Sequence, residues 1–268
     1  MSTITQPIKW HGGKHYLAPK LVALMPEHTR YLEAFAGGLS VLLAKPYEGI
    51  AEWVNDTNLM LTNFWRVLAD EADFNRFARF VEATPLSEVE FRNAGGIDHG
   101  NPIFAAVDFF VRIRQSRQGL GRDYCTPTRR TRRGMNEQVS AWLTAVDGLP
   151  EAHARLRRVE VWRRPAVEAI QKLDGGDLLV YADPPYMHDT RSSVGEYGNE
   201  EMGTRDHKEL LETLAAMQGK FLLSGYHNAF YDDFASDHGW RSVDFDLPNN
   251  ASGKKEKERK TECVWMNY

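Results

Sequence analysis

Short apolar runs alternate with helical stretches toward both ends of the chain. Between the runs lie segments whose apolar residues recur at helical spacing, such as 17–25, 165–173 and 205–217. Strands that alternate with helices indicate an α/β fold with a Rossmann-like sheet. The runs predicted to be buried strands begin at Tyr31 and continue at 50–54, 158–162, 178–182, 221–224 and 262–266.

This alternation stops in the middle of the chain. Apolar residues there recur at helical spacing, as at Phe74, Phe77 and Val81, and glycines and prolines separate the segments. We therefore expect a helical insertion within the α/β domain. The predicted division is a first part of the α/β domain at 1–62, the insertion at 63–154 and a second part at 155–268.

The composition changes this picture little. The 268 residues are 42% hydrophobic and 26% charged, which is ordinary for a globular protein. No apolar run approaches the roughly 20 residues that a membrane helix needs, and the N-terminus does not resemble a signal peptide. Cys125 and Cys263 lie far apart without metal-ligand spacing. We therefore expect a cytoplasmic protein without a membrane segment or a metal site, and the oligomeric state is not predicted.

Charge is distributed unevenly along the chain. The net charge is −4, yet the segment 112–133 contains eight arginines and one acid, so it carries +7 and the remainder carries −11. A dense basic segment on an acidic protein favours a polyanionic partner, and arginine permits paired hydrogen bonds to phosphate and to guanine. The predicted DNA-binding residues are Arg112, Arg114, Arg117, Arg122, Arg129, Arg130, Arg132 and Arg133.

The apolar run at 178–182 ends abruptly at Asp183-Pro184-Pro185-Tyr186. Proline fixes φ and has no N–H to donate, so two prolines make a rigid corner at the carboxyl end of a buried strand. Ligands of open α/β sheets bind at that end. The corner offers a carboxylate, a carbonyl held in place and a flat ring, which together suit a planar group that bears an amine.

Methyl transfer to an exocyclic base amine needs these groups. The lone pair of such an amine is delocalised into the ring, so the amine is a weak nucleophile. Acceptors from Asp183 and from the Pro184 carbonyl would favour a tetrahedral nitrogen and stabilise its developing positive charge. Tyr186 would stack on an extruded base, a contact worth roughly 1–3 kcal/mol. A polar loop at 188–203 follows and is long enough to form a lid.

A strand, a glycine turn and a helix are predicted around Gly37-Gly38. Small residues there leave room for a nucleotide-like cofactor, although the GxGxxG pattern is not satisfied. Asp56 lies 19 residues beyond Gly37, close to the spacing of a ribose-binding acid, and it is also suited to capping the next helix. Both roles remain open at this point.

Three motifs together resemble a known family. Asp183-Pro184-Pro185-Tyr186 resembles the catalytic motif of DNA amino-methyltransferases. The stretch 9–14, KWHGGK, is similar to the N-terminal motif of Dam-like adenine-N6 methyltransferases, and 31–38, YLEAFAGG, resembles their S-adenosylmethionine motif. Their order is that of the alpha-type enzymes. The resemblance implies an S-adenosylmethionine-dependent enzyme that methylates an adenine flipped out of double-stranded DNA.

The resemblance also implies roles for particular residues. Asp183 would lie between the cofactor and the target amine, within the catalytic set Asp183, Pro184, Pro185 and Tyr186. Lys14 would contact the carboxylate end of S-adenosylmethionine, and Asp56 would hold the ribose hydroxyls. The implied cofactor-binding residues are Trp10, Lys14, Glu33, Phe35, Gly37, Asp56 and Asp183.

Three other functions compete with adenine methylation. A cytosine-N4 methyltransferase uses the same amine chemistry, but the Dam-like N-terminus and the acid Asp183 favour adenine. A dinucleotide-dependent oxidoreductase would explain Asp56 and leave the arginine-rich segment unexplained. A DNA-binding protein without catalytic activity would not need the intact Asp183-Pro184-Pro185-Tyr186 motif. The recognised sequence and the biological role, such as restriction-modification, are not predicted.

Overall fold

The computed structural model describes residues 4–95, 100–187, 202–248 and 259–268. The predicted lid at 188–203 falls outside them except for its last two residues. The chain forms two compact units, the first from Met1–Leu24 and Ala36–Arg163 and the second from Met25–Phe35 and Arg164–Tyr268.

The described helices and strands follow one another in this order: α1 (Ala18–Leu24), β1 (Arg30–Glu33), α2 (Ser40–Ala44), β2 (Ala51–Asn55), α3 (Leu59–Ala69), α4 (Glu71–Ala83), α5 (Glu88–Asn93), α6 (Pro102–Arg114), β3 (Thr131–Arg132), β4 (Met135–Asn136), α7 (Glu137–Asp147), α8 (Leu149–Leu156), β5 (Val159–Trp162), α9 (Ala166–Leu173), β6 (Leu178–Ala182), α10 (Thr204–Ala216), β7 (Lys220–Gly225), α11 (Ala229–Asp237), β8 (Arg241–Pro248) and β9 (Arg259–Met266).

Within the second unit, β6 lies between two parallel neighbours. It pairs with β1 on one side and with β7 on the other. β9 then pairs antiparallel with both β7 and β8. All five residues of β6 are buried, because this apolar strand is covered on both faces. Its carboxyl end leads directly into Asp183.

The first unit combines one parallel strand pair with most of the helices. β2 pairs with β5 in parallel. The helices pack around an aromatic core in which Phe110 lies 5.3–6.0 Å, between ring centroids, from Phe64, Phe77 and Trp142. These residues come from α3, α4, α6 and α7. The helically spaced aromatic residues of the sequence therefore pack together in one core shared by four helices.

Every strand predicted from an apolar run is present, at or close to its predicted bounds, and the parallel pairings confirm the α/β class. The helices α4 to α7 lie within 63–154, and α3 spans residue 62. The division into three parts stays a prediction. The predictions missed β8, α11 and the short β3–β4 hairpin. In the part of the chain that is described, no helix combines the length and apolar character required to cross a membrane.

Candidate active site

Asp183 and Tyr186 lie together at the corner after β6. The Tyr186 hydroxyl lies 3.2 Å from an Asp183 carboxylate oxygen and donates a hydrogen bond to Glu262 Oε1 at 2.8 Å. Asp183 is half-buried, Pro184 is buried and Glu262 is 5% exposed. The predicted corner therefore has a carboxylate on each side of one phenol.

The phenol of Tyr186 is a neutral hydrogen-bond donor. Burial, together with the charges of Asp183 and Glu262, raises the pKa of Tyr186 well above its ordinary value. A protonated Tyr186 cannot act as a base near neutral pH. Its single O–H lies between the two carboxylates, closer to Glu262, and holds the ring beside Asp183.

A small pocket adjoins the Tyr186 ring. The Tyr226 ring packs edge-on against the Tyr186 ring, with 4.7 Å between ring centroids and 69° between planes. The Asn228 side chain is occupied with the backbone, since it accepts from Tyr231 N–H and donates to the Tyr226 carbonyl, both at 3.0 Å. The lining residues are Tyr186, Met187, Gly225, Tyr226, Asn228 and Tyr231.

The sequence interpretation missed Glu262 and Tyr226 as residues of this corner. Glu262 lies on β9, 76 positions after Tyr186. A signal existed, because an acid at the head of an apolar strand must have a partner when it is buried. Tyr226 gave no signal beyond its place after the apolar run that forms β7.

Trp10 packs against the glycine turn. A Cβ added to Gly38 would lie 2.9 Å from Trp10 Cβ, and one added to Gly37 would lie 3.0 Å from Trp10 Cδ1. Gly37 also has φ 45°, in the left-handed region that favours glycine, and Leu39, two residues later, has φ 55°. The turn therefore requires glycine because the indole and the backbone approach each other closely.

Asp56 supports the same turn. Its carboxylate accepts hydrogen bonds from the Gly37 N–H at 3.1 Å and the Asn58 N–H at 3.0 Å. Asn58, not Asp56, is the N-cap of α3, since its side chain accepts from the Leu61 N–H at 2.9 Å. Burial raises the pKa of the Asp56 carboxyl, against the opposing effect of its backbone donors.

Three other predicted cofactor residues are buried or half-buried. Lys14 is 7% exposed and donates to the Gly12 carbonyl at 2.9 Å. Glu33 is 2% exposed, ends β1 and accepts a hydrogen bond from the Tyr31 hydroxyl at 3.1 Å. Phe35 is half-buried. Lys14 belongs to the first unit with Trp10 and Asp56, and Glu33 and Phe35 belong to the second with Asp183.

The eight predicted arginines fall into two groups. Arg112 is used within the first unit, because its guanidinium lies 4.2 Å from the Phe91 ring centroid and donates to the carbonyls of Phe91 and Gly121. Arg114 is half-buried on α6, and burial lowers the pKa of Arg114 to about 10. The other six are exposed: Arg117, Arg122, Arg129, Arg130, Arg132 and Arg133.

The β3–β4 hairpin presents the densest part of this charge. Arg132 pairs with Met135, and the two turn residues between them, Arg133 and Gly134, have φ values of 56° and 75°. Positive φ at both turn positions matches the twist of a tight hairpin. Arg133 also donates to Thr144 Oγ1 at 3.1 Å, which ties the turn to α7.

A family of known proteins matches most of the chain. The match covers residues 10–95 and 145–245, and the family is described as D12 class N6 adenine-specific DNA methyltransferase. The chain belongs to this family. The methyltransferase therefore acts on DNA adenine with S-adenosylmethionine as cofactor, which confirms the predicted family, function and cofactor.

Individual relatives are distant. The type II methyltransferase M1.LlaDCHI of Lactococcus lactis subsp. cremoris is 22% identical over 288 residues, which cover 97% of this chain and 94% of that protein. The DNA N-6-adenine-methyltransferase of Escherichia phage P1 is 28% identical over 186 residues, which cover 66% of this chain and 23% of that protein. The precorrin-6y C5,15-methyltransferase of Geobacter metallireducens GS-15 superposes with a TM-score of 0.38 at 10% identity, covering 95% and 86% of the two chains.

Proposed function

We propose that the methyltransferase modifies adenine at a specific site in double-stranded DNA, after the base has been flipped out of the duplex. The corner formed by Asp183, Pro184, Pro185 and Tyr186 would receive the base. The observation that carries this proposal is the Asp183–Tyr186–Glu262 hydrogen-bond network at the carboxyl end of β6. It supports a carboxylate held in one orientation, as a hydrogen-bond acceptor for an amine must be.

The corner residues act on the amine through hydrogen bonding and charge. Asp183 would accept a hydrogen bond from one N6 hydrogen and stabilise the positive charge that develops on nitrogen as the N–C bond forms and the sulfonium C–S bond breaks. The thioether is the leaving group, and one N6 proton is lost to solvent. The Pro184 carbonyl accepts from the other hydrogen. These interactions strengthen in the transition state, so they increase the rate and not only the affinity. The rings of Tyr186 and Tyr226 would form the wall against which the base stacks.

The residues of the glycine turn fit a nucleoside with a charged tail. A carboxylate has about four acceptor positions, and backbone N–H groups of Gly37, Thr57 and Asn58 use three of them at Asp56. One position therefore remains for a ribose hydroxyl. The buried Lys14 ammonium supplies charge for a carboxylate. When bound, S-adenosylmethionine supplies a methyl group already activated by a sulfonium. The proposed set is Trp10, Lys14, Glu33, Phe35, Gly37, Asp56 and Asp183.

DNA binding is proposed for the exposed arginines between the two matched segments. Residues 96–144 lie outside the family match, and all eight predicted arginines fall within them. A segment outside the family match that carries exposed positive charge suits recognition of a particular DNA site. Arg112 stabilises the fold of this segment, because its guanidinium donates to the carbonyls of Phe91 and Gly121. We place the activity in the cytoplasm, where two buried free cysteines remain reduced.

The test of this function is direct. Purified protein is incubated with DNA and S-adenosylmethionine labelled in the methyl group, and the DNA is digested to nucleosides. We expect the label in N6-methyladenine at one recurring sequence. Label in N4-methylcytosine, or unlabelled DNA, would contradict the proposal. Sequencing of modified bases in cellular DNA then identifies the recognised site.

A prediction about Glu262 follows from its contact with Tyr186. Glu262→Ala removes the closer acceptor of the Tyr186 phenol and leaves Asp183 at 3.2 Å, so the phenol shifts its hydrogen bond to Asp183. We therefore expect kcat to fall roughly 10-fold, a change of about 1.4 kcal/mol in the barrier. Glu262→Gln keeps an acceptor oxygen at the same place and should retain most of the activity. KM for S-adenosylmethionine should change little in both variants. If kcat falls equally in Glu262→Ala and Glu262→Gln, the rate depends on the negative charge of Glu262 and not on its positioning of Tyr186.

A second prediction concerns the glycine turn. Gly38→Ala brings a Cβ to 2.9 Å from Trp10 Cβ, so the indole must shift. We expect calorimetry to show roughly 10-fold weaker binding of S-adenosylmethionine, a loss of about 1.4 kcal/mol. Gly176→Ala is the matched control, because a Cβ there meets no atom within 4 Å. If Gly38→Ala and Gly176→Ala bind S-adenosylmethionine with equal affinity, Trp10 is not part of the cofactor site.

A further inference from the structure

Three side chains with metal-binding atoms meet in the second unit, apart from the corner residues. The ligand atoms of His227, Asp244 and Cys263 all lie within 4.8 Å of one another. Asp244 and Cys263 are direct partners across the antiparallel β8–β9 pair, so their side chains project from the same face. His227 follows Gly225, which pairs with Cys263 on the other side. The strand register therefore assembles the cluster.

The His227 ring has a carboxylate at each nitrogen. Nδ1 lies 2.8 Å from an Asp232 oxygen, and Nε2 lies 2.9 Å from an Asp244 oxygen. A neutral imidazole has one N–H, and an ionised carboxylate only accepts hydrogen bonds. One nitrogen therefore presents a lone pair to an anionic oxygen. Such a contact needs a positive charge, either a second proton on the ring or a cation between Nε2 and Asp244.

We propose that His227 Nε2, Asp244 and Cys263 bind one divalent transition-metal ion of the zinc class, with solvent as the fourth ligand. Sulfur, imidazole and carboxylate together suit zinc, and they do not suit magnesium or calcium, which prefer oxygen ligands. Asp232 completes the arrangement, because a metal-bound histidine commonly donates its other N–H to a carboxylate that fixes the ring. The composition-based expectation of no metal site did not consider residues that meet only in space.

The exposure of two of the three side chains allows the cluster to contract around an ion of this size. Tetrahedral zinc holds neighbouring ligand atoms about 3.3–3.7 Å apart, so the widest separation in the cluster must shrink by about 1 Å. Cys263 is wholly buried and fixed by β9. The side chains of His227 and Asp244 are 42% and 54% exposed, so a shift of both toward the sulfur is not blocked on the solvent side. The ion would join the chain after β7 to the β8–β9 hairpin.

Cobalt substitution tests the site without reference to methylation. The full chain is freed of metal with a chelator and titrated with Co²⁺, while absorption and bound metal are measured. We expect one Co²⁺ per chain, a thiolate-to-cobalt charge-transfer band, displacement by Zn²⁺ and a higher melting temperature with either ion. Mg²⁺ should have none of these effects. Absence of stoichiometric metal would overturn the proposal and leave a doubly protonated His227 between its two carboxylates.

Variants assign the individual ligands. Cys263→Ser should abolish the charge-transfer band. His227→Ala and Asp244→Asn, at exposed positions where the fold tolerates change, should each weaken Co²⁺ binding at least 100-fold, and Asp232→Asn should weaken it about 10- to 100-fold. His238→Ala is the control, since this exposed histidine lies beyond α11 and stacks on Phe234. A band that survives in Cys263→Ser, or binding unaffected by His227→Ala, would also overturn the site.

Discussion

Asp183→Ala should reduce methylation of adenine by about 100- to 1,000-fold, the loss typical of removing one group that stabilises transition-state charge. The Pro184 carbonyl remains as the only proposed acceptor at the corner, so the amine loses its anionic partner. The side chain is half-buried and lies at the end of β6, not inside it. The melting temperature should therefore change little. The measurement is single-turnover transfer of labelled methyl groups to DNA at saturating cofactor.

Two comparisons sharpen this experiment. Asp183→Asn keeps the shape and one acceptor oxygen but removes the charge, so its rate should lie between those of wild type and Asp183→Ala. Asp237→Ala removes an exposed carboxylate at the end of α11 and should leave the rate unchanged. A rate near wild type in Asp183→Ala would disprove the proposed role. A collapse in melting temperature would show that Asp183 stabilises the fold.

Replacing the four arginines in and just before the β3–β4 hairpin should weaken DNA binding by about 100-fold or more at moderate salt, since every phosphate that is no longer neutralised reduces the counterion release that drives association. The variant carries glutamine at Arg129, Arg130, Arg132 and Arg133, all of which are exposed. The slope of log affinity against log salt should become shallower by up to about 3.6, or about 0.9 for each phosphate that an arginine had neutralised. Fluorescence anisotropy with labelled duplex over a salt series measures both quantities.

The control must remove the same charge from another place in the first unit. Glutamine at Arg76, Arg79, Arg157 and Arg158, which are also exposed, changes the net charge equally. We expect the control to bind DNA with nearly the wild-type slope. If both variants lose affinity to the same extent, the effect comes from total charge, and the hairpin is not the DNA-binding surface.

Apolar periodicity predicted the backbone well where burial is uniform. β6 is buried along its whole length, so its five apolar residues and the two prolines after it fixed both the strand and its end. β8 was missed although Val243, Phe245 and Leu247 alternate with Ser242, Asp244 and Asp246, which is the period-two pattern of a strand with one exposed face. The prediction relied on continuous apolar runs, and an alternating strand does not contain one. The β3–β4 hairpin was missed because two strand residues on each side leave no measurable period.

Candidate residues were predictable when the motif itself carried the chemistry. Asp183 and Tyr186 are three residues apart, so a local corner brings them together. The eight arginines were recognised as a group by their charge, but charge does not predict whether a side chain points into the protein or toward solvent. Arg112 turns inward to Phe91 and Gly121, while Arg132 and Arg133 project from a hairpin. That distinction depends on which face of α6 packs against the rest of the unit.

The sequence by itself determined the class of fold, the corner after β6 and the family to which the chain belongs. The tertiary structure alone decided which distant side chains share one environment. Cys263 meets Asp244 and His227 because the register of β9 against β7 and β8 places them side by side. The same strand carries Glu262, which meets Tyr186 after β6. Periodicity reveals which face of a strand is buried. It does not reveal which residue of another strand lies opposite, because register results from packing of the whole sheet.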